Sequence, residues 1–454
     1  MMKYYSTNLK SPDVSFKEAL LKGQAPDRGL YMPREIPRIT SSEIRKFGKM
    51  DYHEIAFTII RRFISGQIDD TDLAAICRDA YNYPIPLEHV CDRKYILRLD
   101  QGPTASFKDF AARMMGRMMN YFLRLENRKL LILTATSGDT GSAIANAFLG
   151  LDNIEVVILF PETEVTNMQR KQMTTLGQNV HVIALDGKFD DCQALVKDAF
   201  ADPELDFLQL SSANSINIGR LIPQSVYYFY AYSRLRNESD DDKAVFCVPS
   251  GNFGDMMGGM LAVRMGLPIS RFVIAVNEND EFPTYLKTGK YQKIEPSKNC
   301  ISSAMNVGHP SNLSRLIALY GGEMDEKGMI IRQADRDAMQ KDLWAVSVDN
   351  AQTRQTISEA WNQYKLLLEP HGAVGWNGLN QYLSGLDQTE LAGLLCISLE
   401  TAHPAKFPDE INNLLAFQPE LPAGLLGIDD KDESFEYLKK DYPAFKNYLL
   451  TSFK

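Results

Sequence analysis

The sequence predicts an α/β protein, with two lobes built on parallel sheets and a mostly helical N-terminal lobe. Short, β-branched apolar runs alternate with helical patterns through the middle of the chain. Buried parallel strands covered on both faces read this way. Residues 1–95 instead show apolar spacing near the helical period. At 454 residues the chain also exceeds the ~100–200 residues usual for one domain, so two or three packed lobes are expected.

Taken in order, Phe16 to Leu21, Tyr52 to Phe63 and Thr71 to Tyr81 are predicted helices, with a polar Gly- and Pro-containing stretch from Gln24 to Arg34 between the first two. The alternation begins at Lys129 to Ala135, a predicted strand, followed by a loop and a helix over Ser142 to Leu149. Ile154 to Phe160 and Asn179 to Leu185 repeat the strand pattern, and Thr166 to Leu176 and Asp190 to Phe200 the helical one. A helix around Ile222 to Arg236 precedes further strands at Ala244 to Val248, Phe272 to Val276 and Leu394 to Leu399. In open parallel sheets, ligands bind beyond the carboxyl ends of the strands. Several unusual loops of this chain follow strands directly.

Composition narrows the function classes. A formal charge of -9 with no basic stripe argues against a nucleic-acid partner. Asp240, Asp241 and Asp242 form a short acidic run that reads as a solvated turn. No stretch approaches ~18 consecutive apolar residues and no export signal opens the chain, so no membrane partner is expected and the cytoplasm is the default location. The six cysteines are scattered without a CxxC pair, which argues against a zinc or other metal site and against a disulfide framework. Monomer and homodimer are both left open.

Three loops carry the chemistry. Val248-Pro-Ser-Gly-Asn-Phe-Gly-Asp-Met256 joins a strand to a helix. Its glycines admit a ligand close to the backbone, and the helix start offers free N–H groups to an anion. Taken alone, such a loop serves equally well as a tight turn. It matches neither GxGxxG nor a Walker motif, which disfavours nucleotides and a Rossmann dehydrogenase. Thr136-Ser-Gly-Asp-Thr-Gly141 occupies a similar position and resembles a cradle for a small carboxylate or phosphate, with Asp139 or Thr140 expected to cap the helix as well. Gln101 to Phe110 holds one lysine, Lys108, among small and apolar neighbours. Desolvation frees the amine of such a lysine for condensation with an aldehyde, although a lone lysine is far more often exposed and inert. The nearby Met114, Met115, Met118 and Met119 read as core.

The motifs gain weight in combination. Pro103-Thr-Ala-Ser-Phe-Lys-Asp109, Ser137-Gly-Asp-Thr-Gly141, Ser212-Ala-Asn-Ser-Ile-Asn217, Pro249-Ser-Gly-Asn-Phe-Gly-Asp255 and Glu400-Thr-Ala-His-Pro-Ala-Lys-Phe407 occur in the order found in threonine synthases. Asp27-Arg-Gly-Leu-Tyr-Met-Pro33 adds to the resemblance, with Arg28 where the family usually has a second glycine. The resemblance covers nearly the whole chain.

It implies the fold of the tryptophan synthase β subunit, in which pyridoxal phosphate sits between two α/β lobes. The expected divisions are 1–95 for the helical domain, 96–235 for the α/β domain with the lysine and substrate loop, and 236–454 for the larger α/β domain with the cofactor phosphate loop. Lys108 resembles the Schiff-base lysine. Gly251, Asn252, Phe253, Gly254 and Asp255 match the loop that holds the cofactor phosphate, and Thr401 matches the neutral group facing the pyridine nitrogen. Asp139 stands where many relatives carry Asn beside the cofactor's phenolic oxygen. Because an ionised carboxylate would repel a phenolate, Asp139 is expected to cap its helix or accept a backbone bond instead.

For the substrate, Ser137 and Thr140 lie in the loop expected to receive an anionic group. Asn214, Ser215 and Arg220 match the family's phosphate-binding residues; without the motif, Arg220 would read as a helix-surface salt bridge. His403 is expected to order its loop, and His309 and His371 to be structural. The implied reaction converts O-phosphohomoserine and water to L-threonine and phosphate, with Lys108 as general base and acid and the lobes closing over the substrate. The nearest rivals of the same fold are a threonine/serine dehydratase and a cysteine synthase; a dehydratase would not need the second anion site. A phospho-lyase ending in a keto acid differs only in product. A non-catalytic scaffold would be expected to lose Lys108 or the Gly251 to Asp255 loop.

Overall fold

The structure is a computed structural model describing residues 2–136, 138–237 and 242–453. Its smaller sheet grows from Leu130–Ala135, whose LLILTA sequence is buried at every position. Side chains on both faces need apolar cover, and helices on either side provide it. This strand pairs in parallel with Ile154–Pro161, which pairs with Val180–Asp186. Leu210–Ser211 lies at one edge and Glu436–Lys439 at the other, both parallel to their neighbours.

The larger sheet has six strands, in the order Leu343–Ser347, Ile269–Val276, Ala244–Pro249, Leu395–Glu400, Lys94–Arg98 and Leu87–Cys91. Its neighbours are parallel except for the last pair, an antiparallel hairpin. The chain crosses the expected divisions twice. The hairpin at 87–98 begins before residue 95 yet belongs to the larger sheet, because Lys94–Arg98 pairs with Leu395–Glu400. The strand Glu436–Lys439 returns from the far end of the sequence to the smaller sheet. Both strands are short and half-polar, so neither stands out as a buried run, and their pairing is set by distant partners.

The N-terminal lobe packs Phe16–Lys22, Tyr52–Ile64 and Asp70–Ala80 as helices. Ser15 and Glu18 form a reciprocal cap on the first of these. The Gln24 to Arg34 stretch yields one short strand, Tyr31–Pro33, antiparallel to Tyr4–Ser6. Within it Arg28 has a φ of 66°, a left-handed conformation that glycine adopts without strain. Met114, Met115, Met118 and Met119 are core, as expected. Among the described residues no helix is long and apolar enough to cross a membrane.

Candidate active site

Lys108 begins the helix Lys108–Glu126, directly after a loop stitched to the end of the larger sheet. The Phe107 N–H donates to the Thr401 carbonyl at 2.9 Å, and the His403 N–H to the Ala105 carbonyl at 3.0 Å. These bonds carry Lys108 and Thr401 side by side, although 293 positions separate them in the sequence (401 minus 108). The loop closes on itself through Asp109, which accepts from the Thr104 N–H at 2.8 Å and its hydroxyl at 2.6 Å. Burial pushes the Lys108 ammonium below its ordinary range, and the charges of Lys406 and Arg220 act in the same direction against Asp139 and Asp255. This is the direction a nucleophilic amine needs.

Asp139 is buried at the start of the helix Asp139–Phe148, but it does not cap that helix. Thr136 does: its hydroxyl accepts from the N–H groups of Gly138 at 3.0 Å and Gly141 at 2.8 Å. Thr140, at the second helical position, makes no cap either. The expectation that Asp139 or Thr140 caps the helix, or that Asp139 accepts a backbone bond, is therefore corrected. The Asp139 carboxylate meets the fully buried Lys406 ammonium at 2.6 Å, the Gln169 side-chain amide at 3.0 Å and Lys108 Nζ at 3.9 Å. Burial alone would raise its pKa, but Lys406 and Lys108 outweigh burial and hold it well below the usual carboxylate range. Repulsion of an anionic oxygen, the difficulty foreseen from Asp139 alone, is thus offset by an adjacent ammonium. Lys406 lay inside a recognised motif without a role, since nothing in local sequence ties it to Asp139.

The loop between Ala244–Pro249 and the helix Gly254–Met265 presents its backbone rather than cations. Among the described residues, no protein oxygen accepts from the N–H groups of Gly251, Asn252, Phe253 or Gly254. Phe253 and Gly254 are buried, and unpaired buried N–H groups are costly unless a ligand takes them. Neighbours hold this conformation. Asn252 accepts from the Ser311 N–H at 2.7 Å through its side chain, and from the Asn312 amide at 2.9 Å through its carbonyl. A Cβ at Gly251 would meet the Met305 Cα at 2.9 Å and the Ala304 carbonyl at 3.0 Å, so glycine is required there. Burial pushes the Asp255 carboxyl up to about 7, and its Oδ2 is buried without a partner. A donor loop for a phosphate beside a desolvated lysine for an aldehyde fits pyridoxal phosphate.

Asn217 caps the helix Ile218–Gln224 and so fixes Arg220 one turn in. Arg220 is buried and, among the described residues, makes no salt bridge. Its Nη1 donates to the Ala213 carbonyl at 2.7 Å, while its Nε has no partner. Burial lowers its pKa to about 10. The Asn214 side-chain oxygen is also buried and unpaired. A Cβ on Gly254 would lie 3.5 Å from the Cβ of Ser215, so the two loops meet. The structure thus brings together Lys108, Asp139, Thr401, the Gly251 to Asp255 loop and the Asn214 to Arg220 segment. Ser137 lies outside the described residues, as do Asp240 and Asp241 of the acidic run.

Three histidines have evident structural partners. His403 Nδ1 accepts from the Ala405 N–H at 3.2 Å. His371 pairs with Glu369 at 2.5 Å and accepts from the Ala304 N–H at 3.0 Å, which steadies the segment beneath Gly251. His309 pairs with the Tyr291 hydroxyl at 2.6 Å.

Three family models match the chain. "Threonine synthase N terminus" covers residues 3–81, "Pyridoxal-phosphate dependent enzyme" 83–394 and "Threonine synthase, C-terminal" 373–449. A threonine synthase of Pseudomonas aeruginosa is 35% identical over 99% of this chain and 98% of its own length. That of Escherichia coli is 36% identical over 99% of both. Among solved structures, a threonine synthase of Brucella melitensis with bound pyridoxal phosphate superposes with a TM-score of 0.91, at 36% identity and 99% coverage of each chain. The yeast enzyme gives 0.90 at 31% identity, covering 99% of this chain and 98% of its own. With matches of this extent along the whole chain, and with a site that suits the cofactor, the chain belongs to the threonine synthase family of pyridoxal-phosphate-dependent lyases.

Proposed function

We propose that this site converts O-phosphohomoserine and water to L-threonine and phosphate. The observation that carries the reading is the second anion site. Among the described residues Arg220 is buried without a carboxylate partner, and Ser215 of the same segment lies against Gly254 of the amide-rich loop. A dehydratase acting on free threonine or serine has no such phosphate to hold.

Lys108 would hold the cofactor's aldehyde carbon, the amides of Gly251, Asn252, Phe253 and Gly254 its phosphate, and Thr401 the neighbourhood of its pyridine nitrogen, with Asp255 at the loop's end. When bound, pyridoxal phosphate supplies an electron sink for charge developing next to the amino-bearing carbon. Lys108 takes the proton from that carbon and then moves protons between the β and γ carbons, which its lowered pKa permits. Arg220, Asn214 and Ser215 hold the substrate phosphate and then receive it as the leaving group. Thr140, and Ser137 from its place in the sequence, would take the substrate carboxylate. The neutral Thr401 hydroxyl does not enforce a pyridinium, which favours elimination over transamination. The Asp139–Lys406 pair keeps the site next to Lys108 close to neutral. The chain acts on a small molecule, in the cytoplasm, as a monomer or homodimer. Its free cysteines suit a reducing compartment.

The test measures absorbance of the purified protein before and after adding O-phosphohomoserine, with threonine and free phosphate quantified. A cofactor band that disappears in Lys108→Ala, with equal yields of both products in the parent, is expected. Keto acid in place of threonine would move the assignment to a phospho-lyase. No cofactor band after reconstitution would reject it.

A further inference from the structure

Arg315, on the helix Leu313–Leu319, is fully buried. A guanidinium has five N–H donors, and here every one is taken by a neutral oxygen. Nε and Nη2 donate to the Tyr31 carbonyl at 3.2 and 3.1 Å. Nη1 donates to the Ser215 carbonyl at 3.1 Å and to Asn312 Oδ1 at 2.6 Å, and Nη2 also reaches the Ile216 carbonyl at 2.7 Å. Among the described residues no carboxylate pairs with it. Its hydrogen bonds are satisfied while its charge is not. A buried cation in that condition is destabilising until a counter-charge arrives.

The partners show where the counter-charge would come from. Ser215 and Ile216 belong to the segment assigned above to the substrate phosphate. Asn312 in turn holds the Asn252 carbonyl of the amide-rich loop at 2.9 Å, and Tyr31 belongs to the N-terminal lobe. In a trans peptide the C=O and N–H point in opposite directions. Turning the Ser215 carbonyl onto Arg315 therefore turns the Ile216 N–H away from it. Among the described residues that N–H meets no protein acceptor, and both residues are only half-buried. A cation on the carbonyl end polarises the peptide and makes its N–H a stronger donor.

We propose that Arg315 is a positioning residue for the substrate phosphate: its uncompensated charge acts on the anion through the Ser215–Ile216 peptide, and the same five bonds lock that peptide to the Asn252 loop and to Tyr31. The proposal rests on the reading of the Asn214 to Arg220 segment as the phosphate site. It adds a second cation that never touches the substrate.

The test titrates inorganic phosphate by calorimetry into the cofactor-loaded enzyme, so that the amide loop is already filled. The parent is compared with Arg315→Met, Arg315→Lys and Arg220→Met. Removing the charge in Arg315→Met should weaken phosphate about ten-fold and raise KM similarly, with kcat changed less than about three-fold. Arg315→Lys keeps the charge but not all five bonds, so it should retain more phosphate affinity than Arg315→Met, within about five-fold of the parent. A folded Arg315→Met with unchanged affinity overturns the proposal, and so does Arg315→Lys weakened as much as a folded Arg315→Met. If Arg315→Met does not fold, Arg315→Lys decides alone: affinity within about five-fold of the parent supports the proposal, and a larger loss overturns it. Arg220→Met separates the two readings. If it leaves phosphate binding intact, the segment is not the phosphate site and both readings fall. If it weakens binding while Arg315→Met does not, only the role of Arg315 falls.

Discussion

Lys406 reaches Asp139 from the loop that follows Leu395–Glu400, and its ammonium also donates to the Thr104 carbonyl at 3.0 Å. Two opposite charges are thereby buried in one place, and removing Lys406 leaves the Asp139 carboxylate to the more distant Lys108 and the Gln169 amide. Lys406→Met should cost about 3–5 kcal/mol in urea denaturation, and Asp139→Asn added to it should recover most of that loss. The pH dependence has a definite sign. The folded-state pKa of Asp139 lies below its unfolded value, so the pair's stabilisation is complete above the unfolded pKa of about 3.9 and is lost as pH falls through the folded value. The gap between the parent and Lys406→Met should therefore be constant near neutrality and narrow in acid. A gap that widened in acid would contradict the assignment.

At the scale of elements, the site is made from strand-to-helix connections whose turns are held from outside. Thr136 supplies the acceptor for two N–H groups at the start of Asp139–Phe148, so Thr136→Val should cost about 1–2 kcal/mol in thermal or denaturant unfolding. The other connection depends on its lack of side chain. Gly251→Ala would push a methyl group against backbone atoms of Ala304 and Met305, displacing the amides from a phosphate. Cofactor titration should show binding weakened by roughly ten-fold or more, with the circular dichroism spectrum preserved. Those loops were legible beforehand because glycine, a hydroxyl residue and a helical pattern fall at fixed local spacings. The identity of the cap was not, because Thr136, Asp139 and Thr140 are all chemically able to cap, and only the path of the backbone selects one.

Over the whole molecule, the site lies where loops of two sheets meet, and the chain passes between those sheets more often than its sequence pattern implies. The C-terminal return is held by Arg170, which grips Glu433 through two bonds of 2.8 Å, and by the strand Glu436–Lys439 beside Val180–Asp186. The N-terminal lobe is tied in through Tyr31 and Arg315. Binding a substrate that several segments contact at once should draw the lobes together and exclude water. Small-angle scattering with a non-reactive substrate analogue should show a smaller radius of gyration than the cofactor-loaded enzyme alone. No compaction would reject lobe closure.

By itself the sequence determined the fold class, the order of most buried strands and helices, and the motifs bearing Lys108, Gly251 to Asp255, Asn214 to Arg220 and Thr401. Each of these is written in local periodicity or in short spacing, which act over a few residues. Only the tertiary structure decided that Asp139 is paired with Lys406, that Arg220 is buried with no carboxylate partner among the described residues and that Arg315 is bonded to the Ser215 carbonyl. Those facts concern charge and desolvation, which depend on what the folded chain brings within a few ångströms, whatever the separation along it.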